Sequence, residues 1–190
     1  YSLDFADLSD YNLMNSREKL EFEKLAGVYK DNTSDPFNQI KLDNLYNSRL
    51  RDIEQGVDTY WLSVPLRTGF THKHNVYAEG GEGNVRYGLG LNYGMVNGVM
   101  KGSDRETLGG NLDLIYRTGK FQFRNKLSID YLETNNPAVS FAEYAQANPY
   151  YKKYGADGKI NKYLYYPEEG LNDNPVSNPL WNDHLNNFDK

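Results

Sequence analysis

The chain has 190 residues, with 21 Lys and Arg against 26 Asp and Glu for a net charge of −5, and it contains no cysteine. The acidic balance argues against nucleic-acid binding, which calls for a basic stripe, and the missing thiols exclude a disulfide scaffold, a thiolate zinc site and a cysteine nucleophile. Mean hydropathy is −0.79 and no apolar run approaches the ~18 residues of a membrane-spanning helix, yet the chain holds 17 Tyr, 8 Phe and 2 Trp, a heavy aromatic load for so polar a sequence.

Tyr1-Ser2-Leu3-Asp4-Phe5-Ala6 alternates apolar and polar residues and reads as the end of a strand. The pattern opens part-way through and without Met, so residue 1 is expected to lie inside a longer protein. Two helical stretches follow. The first is entered near Ser9 or Asp10, either of which can cap the free N–H groups of a first turn. Leu13, Met14, Leu20, Leu25 and Val28 recur there at roughly helical spacing, with Arg17, Glu18, Glu21 and Lys24 between them. The second opens at Asp35-Pro36, an N-cap followed by the residue suited to the first helical position. Phe37, Ile40, Leu45 and Ile53 supply its apolar face, and Gly56 its stop.

Beyond Gly69 the period changes from helical to alternating. Val85, Tyr87, Leu89, Leu91, Tyr93 and Met95 occupy odd positions, with Arg86, Gly88, Gly90, Asn92 and Gly94 between them. The pattern returns with Leu108, Gly110, Leu112, Leu114 and Tyr116 on one face and Thr107, Gly109, Asn111, Asp113 and Arg117 on the other, where Ile115 is the exception. A third case sets Phe121, Phe123, Leu127, Ile129 and Tyr131 against Gln122, Arg124, Lys126, Ser128 and Asp130. Residues 70–79 are weaker, with only Val76 and Ala78 clearly apolar. These strands run about 10 to 12 residues, against about 5 to 6 in globular sheets and about 9 to 11 in a tilted membrane-crossing strand.

The connections alternate in length. Gly80-Gly81-Glu82-Gly83-Asn84 and Thr118-Gly119-Lys120 are short; Asn97 to Glu106 and the tail after Leu132 are longer. Outer-membrane barrels put short turns in the periplasm and long loops outside. The expected fold is therefore mostly β: a partial antiparallel transmembrane β-barrel, about five strands of a larger one, with a helical extracellular insertion. Its layout is the end of a first strand (1–6), a helical extracellular loop (7–69), four antiparallel barrel strands (70–132) and a long Tyr-rich extracellular loop (133–190). Within that tail, Ser140-Phe141-Ala142-Glu143 is a capping box and Asp157-Gly158 a hairpin signal.

Arg67-Thr68-Gly69-Phe70-Thr71-His72-Lys73-His74-Asn75-Val76, followed by Glu79-Gly80-Gly81, Arg86-Tyr87 and Gly98-Val99-Met100-Lys101-Gly102-Ser103-Asp104, resembles the early barrel of SusC/RagA-type TonB-dependent outer-membrane transporters. Asp7-Leu8-Ser9-Asp10-Tyr11-Asn12-Leu13-Met14-Asn15 and Arg17-Glu18-Lys19-Leu20 resemble the helical insertion after that family's first strand. Phe141-Ala142-Glu143-Tyr144, Asn148-Pro149-Tyr150-Tyr151 and Asn178-Pro179-Leu180-Trp181 resemble its next long loop. The resemblance implies import of oligosaccharides or peptides across the outer membrane of Bacteroidetes-type bacteria. It also implies a SusD-like surface lipoprotein as lid and energy from TonB, acting through parts missing from these residues. No plug and no closing strand is recognisable, and barrels of this kind have about 22 strands, so the chain is expected to be a fragment of one barrel.

No constellation of nucleophile, base and orienting group is visible, so an enzyme is not expected. Cofactors and metals are not expected either. His72 and His74 share a strand face but lack a spaced third ligand, and the acidic residues lack EF-hand spacing. Tyr144, Tyr150, Tyr151 and Trp181 are candidate substrate or lid contacts, with packing of the loop as the other use of such aromatics. Leu89, Leu91, Leu112, Leu114, Leu127 and Ile129 are expected to face lipid. Arg86, Asn92, Asn111, Asp113, Arg124, Lys126 and Asp130 are expected to face the lumen or plug. Tyr87, Tyr93, Tyr116 and Tyr131 fall where aromatic girdles sit. The reading from another class is a soluble β-rich surface module that binds glycan through its Tyr-rich loops.

Overall fold

Alternation of large apolar with small or polar residues suits a pleated ribbon whose two faces meet different surroundings. The computed structural model, which describes residues 1–33, 36–169, 171 and 173–182, joins these stretches into one open, five-stranded antiparallel sheet in sequence order. Its strands are β1 (Ser2–Asp4), β2 (Gly69–Glu82), β3 (Val85–Asn97), β4 (Asp104–Thr118) and β5 (Phe121–Asn135). The long ones run 14, 13, 15 and 15 residues, beyond what alternation alone marked.

Strand β2 differs most from expectation. It continues through Gly80 and Gly81, which the sequence reading gave to a turn, because the ladder with β3 extends to Glu82↔Val85. The turn itself is only Gly83-Asn84, and Gly83 supplies the positive φ of +56° that a two-residue hairpin needs. Gly119 does the same, also at +56°, between β4 and β5.

The chain divides into two compact units. The first holds residues 1–6 and 66–137 and is the sheet. Its loop-side end is pinned by Arg67, whose N–H donates to the Val99 carbonyl (2.8 Å) and whose Nε donates to the Gly98 carbonyl (3.0 Å), while its guanidinium pairs with Asp104.

The second unit holds residues 7–65 together with those from 138 onward. It contains helices α1 (Ser16–Leu25), α2 (Pro36–Glu54) and α3 (Phe141–Ala145), a 3-10 turn (Trp61–Ser63), and the short pair β6 (Tyr163–Tyr165) and β7 (Val176–Ser177). Among the described residues the buried apolar and aromatic side chains lie here: Leu20, Tyr29, Trp61, Leu62, Val139, Tyr144, Tyr150 and Tyr151. Its two halves are joined by bonds to backbone carbonyls. Thr59 N–H donates to the Pro149 carbonyl (2.8 Å) and Trp61 Nε1 to the Asn148 carbonyl (3.0 Å).

Several local expectations are corrected. Helix α1 starts at Ser16 and not near Ser9 or Asp10. Asn15 is its N-cap: its side-chain oxygen accepts from Glu18 N–H, and its own backbone N–H donates to the Glu18 carboxylate. Ser16 is held further by two bonds to Asp58 Oδ1, at 2.9 and 2.8 Å. The buried stripe of α1 is Ser16, Leu20 and Glu23, whereas Leu25 is exposed. In α2 the buried residue is Arg49, and Phe37 and Ile40 are exposed. Asp35, expected as the cap of α2, lies outside the described residues. Gly56 ends that helix as expected, at φ +93°, and the Ser140–Glu143 capping box is formed. Asp157-Gly158 makes a turn closed by Gly155 N–H to the Lys159 carbonyl (2.8 Å), but no strands flank it directly; Tyr163–Tyr165 pairs with Val176–Ser177 instead.

Candidate functional site

The site is built first from register. Residues directly opposite in an antiparallel sheet share a face. Leu89 faces Leu112, which faces Leu127; Leu91 faces Gly110, which faces Ile129; Leu114 lies between Tyr87 and Asn125. All the leucines and the isoleucine expected to share a face therefore do so. Val76 and Ala78 extend that face onto β2 opposite Leu91 and Leu89. These side chains are exposed: Val76 by 65%, Leu91 by 52% and Ile129 by 66%. Folded chains in water rarely leave so continuous an apolar surface uncovered.

Aromatic rows border the apolar face. Tyr116 faces both Phe123 and Val85 near the tight turns, and Tyr131 faces Leu108, which faces Tyr93, toward the long loops. Past that second row the face turns acidic, with Glu106 opposite Glu133. The Tyr131 hydroxyl donates to Glu133 Oε2 at 3.0 Å. Alongside, Tyr1, Phe70, His72, His74 and Tyr93 form a ring cluster with centroids 5.3 to 6.2 Å apart. The two histidines thus sit among aromatics, and among the described residues no group of three metal-ligating side chains converges.

The opposite face collects Arg86, Asn92, Asn111, Asp113, Arg124, Lys126 and Asp130, again by register. Arg86 and Arg124 flank Ile115, Asp113 faces Lys126, and Asn92 and Asp130 flank Gly109. The glycines are seats for these side chains. A Cβ on Gly90 would lie 2.2 Å from Asn111 Oδ1, and one on Gly109 would meet Asn92 Oδ1 at 2.5 Å and Asp130 Oδ1 at 2.6 Å. Amide and carboxylate groups therefore lie flat across the strands and form a polar lattice, the reason Gly-rich strands occur here at all.

The aromatic candidates of the loop unit divide differently. Tyr144, Tyr150 and Tyr151 are 2, 3 and 7% exposed, and Trp181 is half-buried. Tyr150 and Tyr151 enclose Arg49, whose guanidinium carbon lies 4.6 and 5.7 Å from their ring centres, 5.6 Å from that of Tyr29 and 5.1 Å from that of Tyr165. Arg49 donates to the Tyr29 hydroxyl (2.6 Å) and the Tyr151 hydroxyl (3.3 Å). Glu23 accepts from Tyr29 (2.7 Å) and Tyr150 (2.9 Å) and lies 3.7 Å from Arg49. Burial pushes the Tyr29, Tyr150 and Tyr151 phenols up, against the downward pull of Arg49. Sequence reasoning passed over Arg49 and Glu23 because a stripe of Ser, Leu and Glu does not look like a core.

No protein-family profile matches the chain, and no curated protein matches it. A solved structure does. A chain of the RagAB peptide transporter is similar, with a TM-score of 0.65 and 15% sequence identity, over 94% of this chain and 22% of that one. The likeness shows a shared fold, and this chain spans about a fifth of the length of the solved one, 22%. No described helix is long and apolar enough to cross a membrane, which says nothing of strands.

Proposed function

We propose that the chain is an early piece of a TonB-dependent outer-membrane transporter barrel that imports oligosaccharides or peptides. The observation that carries this reading is the two-faced sheet: long strands, one exposed apolar face bordered by aromatics, and one polar face. From Phe123 to Tyr131 the band spans about 27 Å along the strand at ~3.4 Å per residue. At the ~40° tilt of outer-membrane barrels this is about 21 Å of membrane depth, close to the ~25 Å apolar band of such proteins. The similarity to part of a peptide transporter supports the same reading. In it, Leu89, Leu91, Leu112, Leu114, Leu127 and Ile129 touch lipid, and the polar lattice lines the lumen or meets a plug. The loop unit stands on the extracellular side, where a SusD-like lipoprotein closes over the barrel. TonB acts through parts of the transporter outside these residues. The chain makes and breaks no bonds in this role.

These residues contain no cysteine, so a single one introduced among them, with any cysteine elsewhere in the transporter replaced, carries a label at one known position. Spin labels placed at positions 112, 127 and 129 of the whole transporter in bilayers should collide with oxygen and be shielded from a water-soluble nickel complex. Labels at 111, 126 and 130 should show the reverse. Loss of that alternation, or nickel access at 112 and 127, would overturn the proposal and favour a water-facing module.

A further inference from the structure

We propose that the turn-side end of the polar face docks an acidic segment of the same transporter, drawn from outside these residues. The inference rests on the reading of that face as the inside of a barrel.

One cross-strand row carries it. Gly81, Arg86, Ile115 and Arg124 stand directly opposite one another across β2 to β5. Neighbouring strands lie ~4.8 Å apart, so the two arginine backbones are about 10 Å apart with Ile115 midway. A Cβ on Gly81 would lie 3.0 Å from Arg86 Cγ, so the glycine leaves room for the arginine stem on this face. Neither Arg86 nor Arg124 has an ion-pair partner among the described residues. Toward the turn, Arg117 donates from Nε to Gln122 Oε1 at 2.8 Å. The carboxylates of this face nearest in register stand one row away. There Asp113 has Lys126 directly opposite, and Glu79 accepts from the Tyr77 hydroxyl at 3.2 Å. Glu82 belongs to the other face, opposite Val85. Arg86, Arg117, Arg124 and Lys126 thus stand against only Asp113 and Glu79, a cationic surplus.

Ile115 identifies the kind of partner. On this face of β4 it interrupts Arg105, Thr107, Gly109, Asn111, Asp113 and Arg117. A wall lined by water gives no reason for an apolar side chain between two arginines. A covering polypeptide does, because interface centres combine arginine with apolar contact. A guanidinium covered by protein needs a counter-charge, and a carboxylate matches its fork of donors. The segment that fits places an apolar side chain on Ile115 and a carboxylate on either side, and the charges fix its register.

Carbodiimide coupling tests this, since it joins an amine to a carboxylate only where the two touch. Arg86→Lys and Arg124→Lys are introduced together in the whole transporter, which is treated in its membranes and digested for mass spectrometry. The amines at 86 and 124 should both be linked to carboxylates a few residues apart in one segment outside residues 1–190. Adding Ile115→Asn should lower that yield several-fold, because the apolar contact is lost. No link, links only to Asp113 or Glu79, links to unrelated segments, or full yield with Ile115→Asn would each overturn the proposal. The spin-label alternation at 111, 112, 126 and 127, read on the same membranes, separates the two failures. If it holds and no link forms, the docking is wrong and the barrel stands; if it is lost, both fall.

Discussion

At the scale of single residues, the loop unit depends on a charge pair that is almost closed to water. Removing the Glu23 side chain would leave Arg49 buried among phenols without a counter-charge, and breaking such a pair from one side costs about 3–5 kcal/mol. Glu23→Ala should therefore abolish hydrogen-exchange protection in α1 and α2, while the strands keep theirs. The phenols add a pH dependence whose sign follows from their raised values. In the unfolded chain they ionise near pH 10; in the folded unit burial keeps Tyr29, Tyr150 and Tyr151 neutral to higher pH. The unfolded state then releases protons first. Stability of the unit should be flat below about pH 9 and fall as pH rises through 10. Tyrosinate absorbance should appear together with loss of helix, and tyrosinate forming while the helices stay intact would contradict this. These residues also show where the sequence was opaque. Tyr150 and Tyr151 pack on a buried guanidinium, and hydropathy cannot tell such a phenol from one that meets a ligand. Nothing near Arg49 in the sequence marks it as interior.

At the scale of elements, the strands were legible and the helix ends less so. Leu89, Leu112 and Leu127 fall on one face by alternation alone, and the ladder places them side by side. The two-residue turns follow from Gly83 and Gly119. By contrast, Ser9 and Asp10 are as good N-caps chemically as Asn15; what decides among them is the Asp58 carboxylate holding Ser16, a contact across 42 residues that no local pattern reveals. Asn15→Ala should cost about 1 kcal/mol and shorten α1, whereas Asp10→Ala should leave helix content unchanged by circular dichroism. The extension of β2 through Gly80-Gly81 makes a second prediction. A Cβ on Gly81 would lie 2.3 Å from the Val85 carbonyl oxygen and 2.9 Å from Arg86 Cα. Backbone cannot swing aside as a side chain does, so Gly81→Ala should cost about 1–3 kcal/mol. It should open the β2–β3 hairpin near its turn, seen as faster amide exchange at Val85 and Tyr87.

At the scale of the molecule, both margins of the sheet stand open. Beyond Asn135 no described strand pairs with β5, and β1 covers β2 only from Gly69 to Thr71. Unpaired margins of this length template association with other chains. Expressed alone in water, the chain should aggregate or need detergent. A sharp, reversible melt in plain buffer would instead favour the soluble module. The long two-faced strands were readable in the sequence, because strand length and the alternation of faces are properties of sequence period. The loop unit was not readable as a unit, since its halves meet only in space.

That division of the loop unit has a consequence for the order of assembly. Its halves, 7–65 and 138 onward, are separated by the whole of 66–137. Hairpins β2–β3, β3–β4 and β4–β5 close over two to a few residues, so their closure costs little. The Glu23–Tyr150 bond spans 127 positions, and loop closure over such a distance is slow to contribute. Helices α1 and α2 can therefore enclose Arg49 only once Tyr150 and Tyr151 have reached them. The slow step expected for the loop unit is thus a tyrosine pair closing over an arginine.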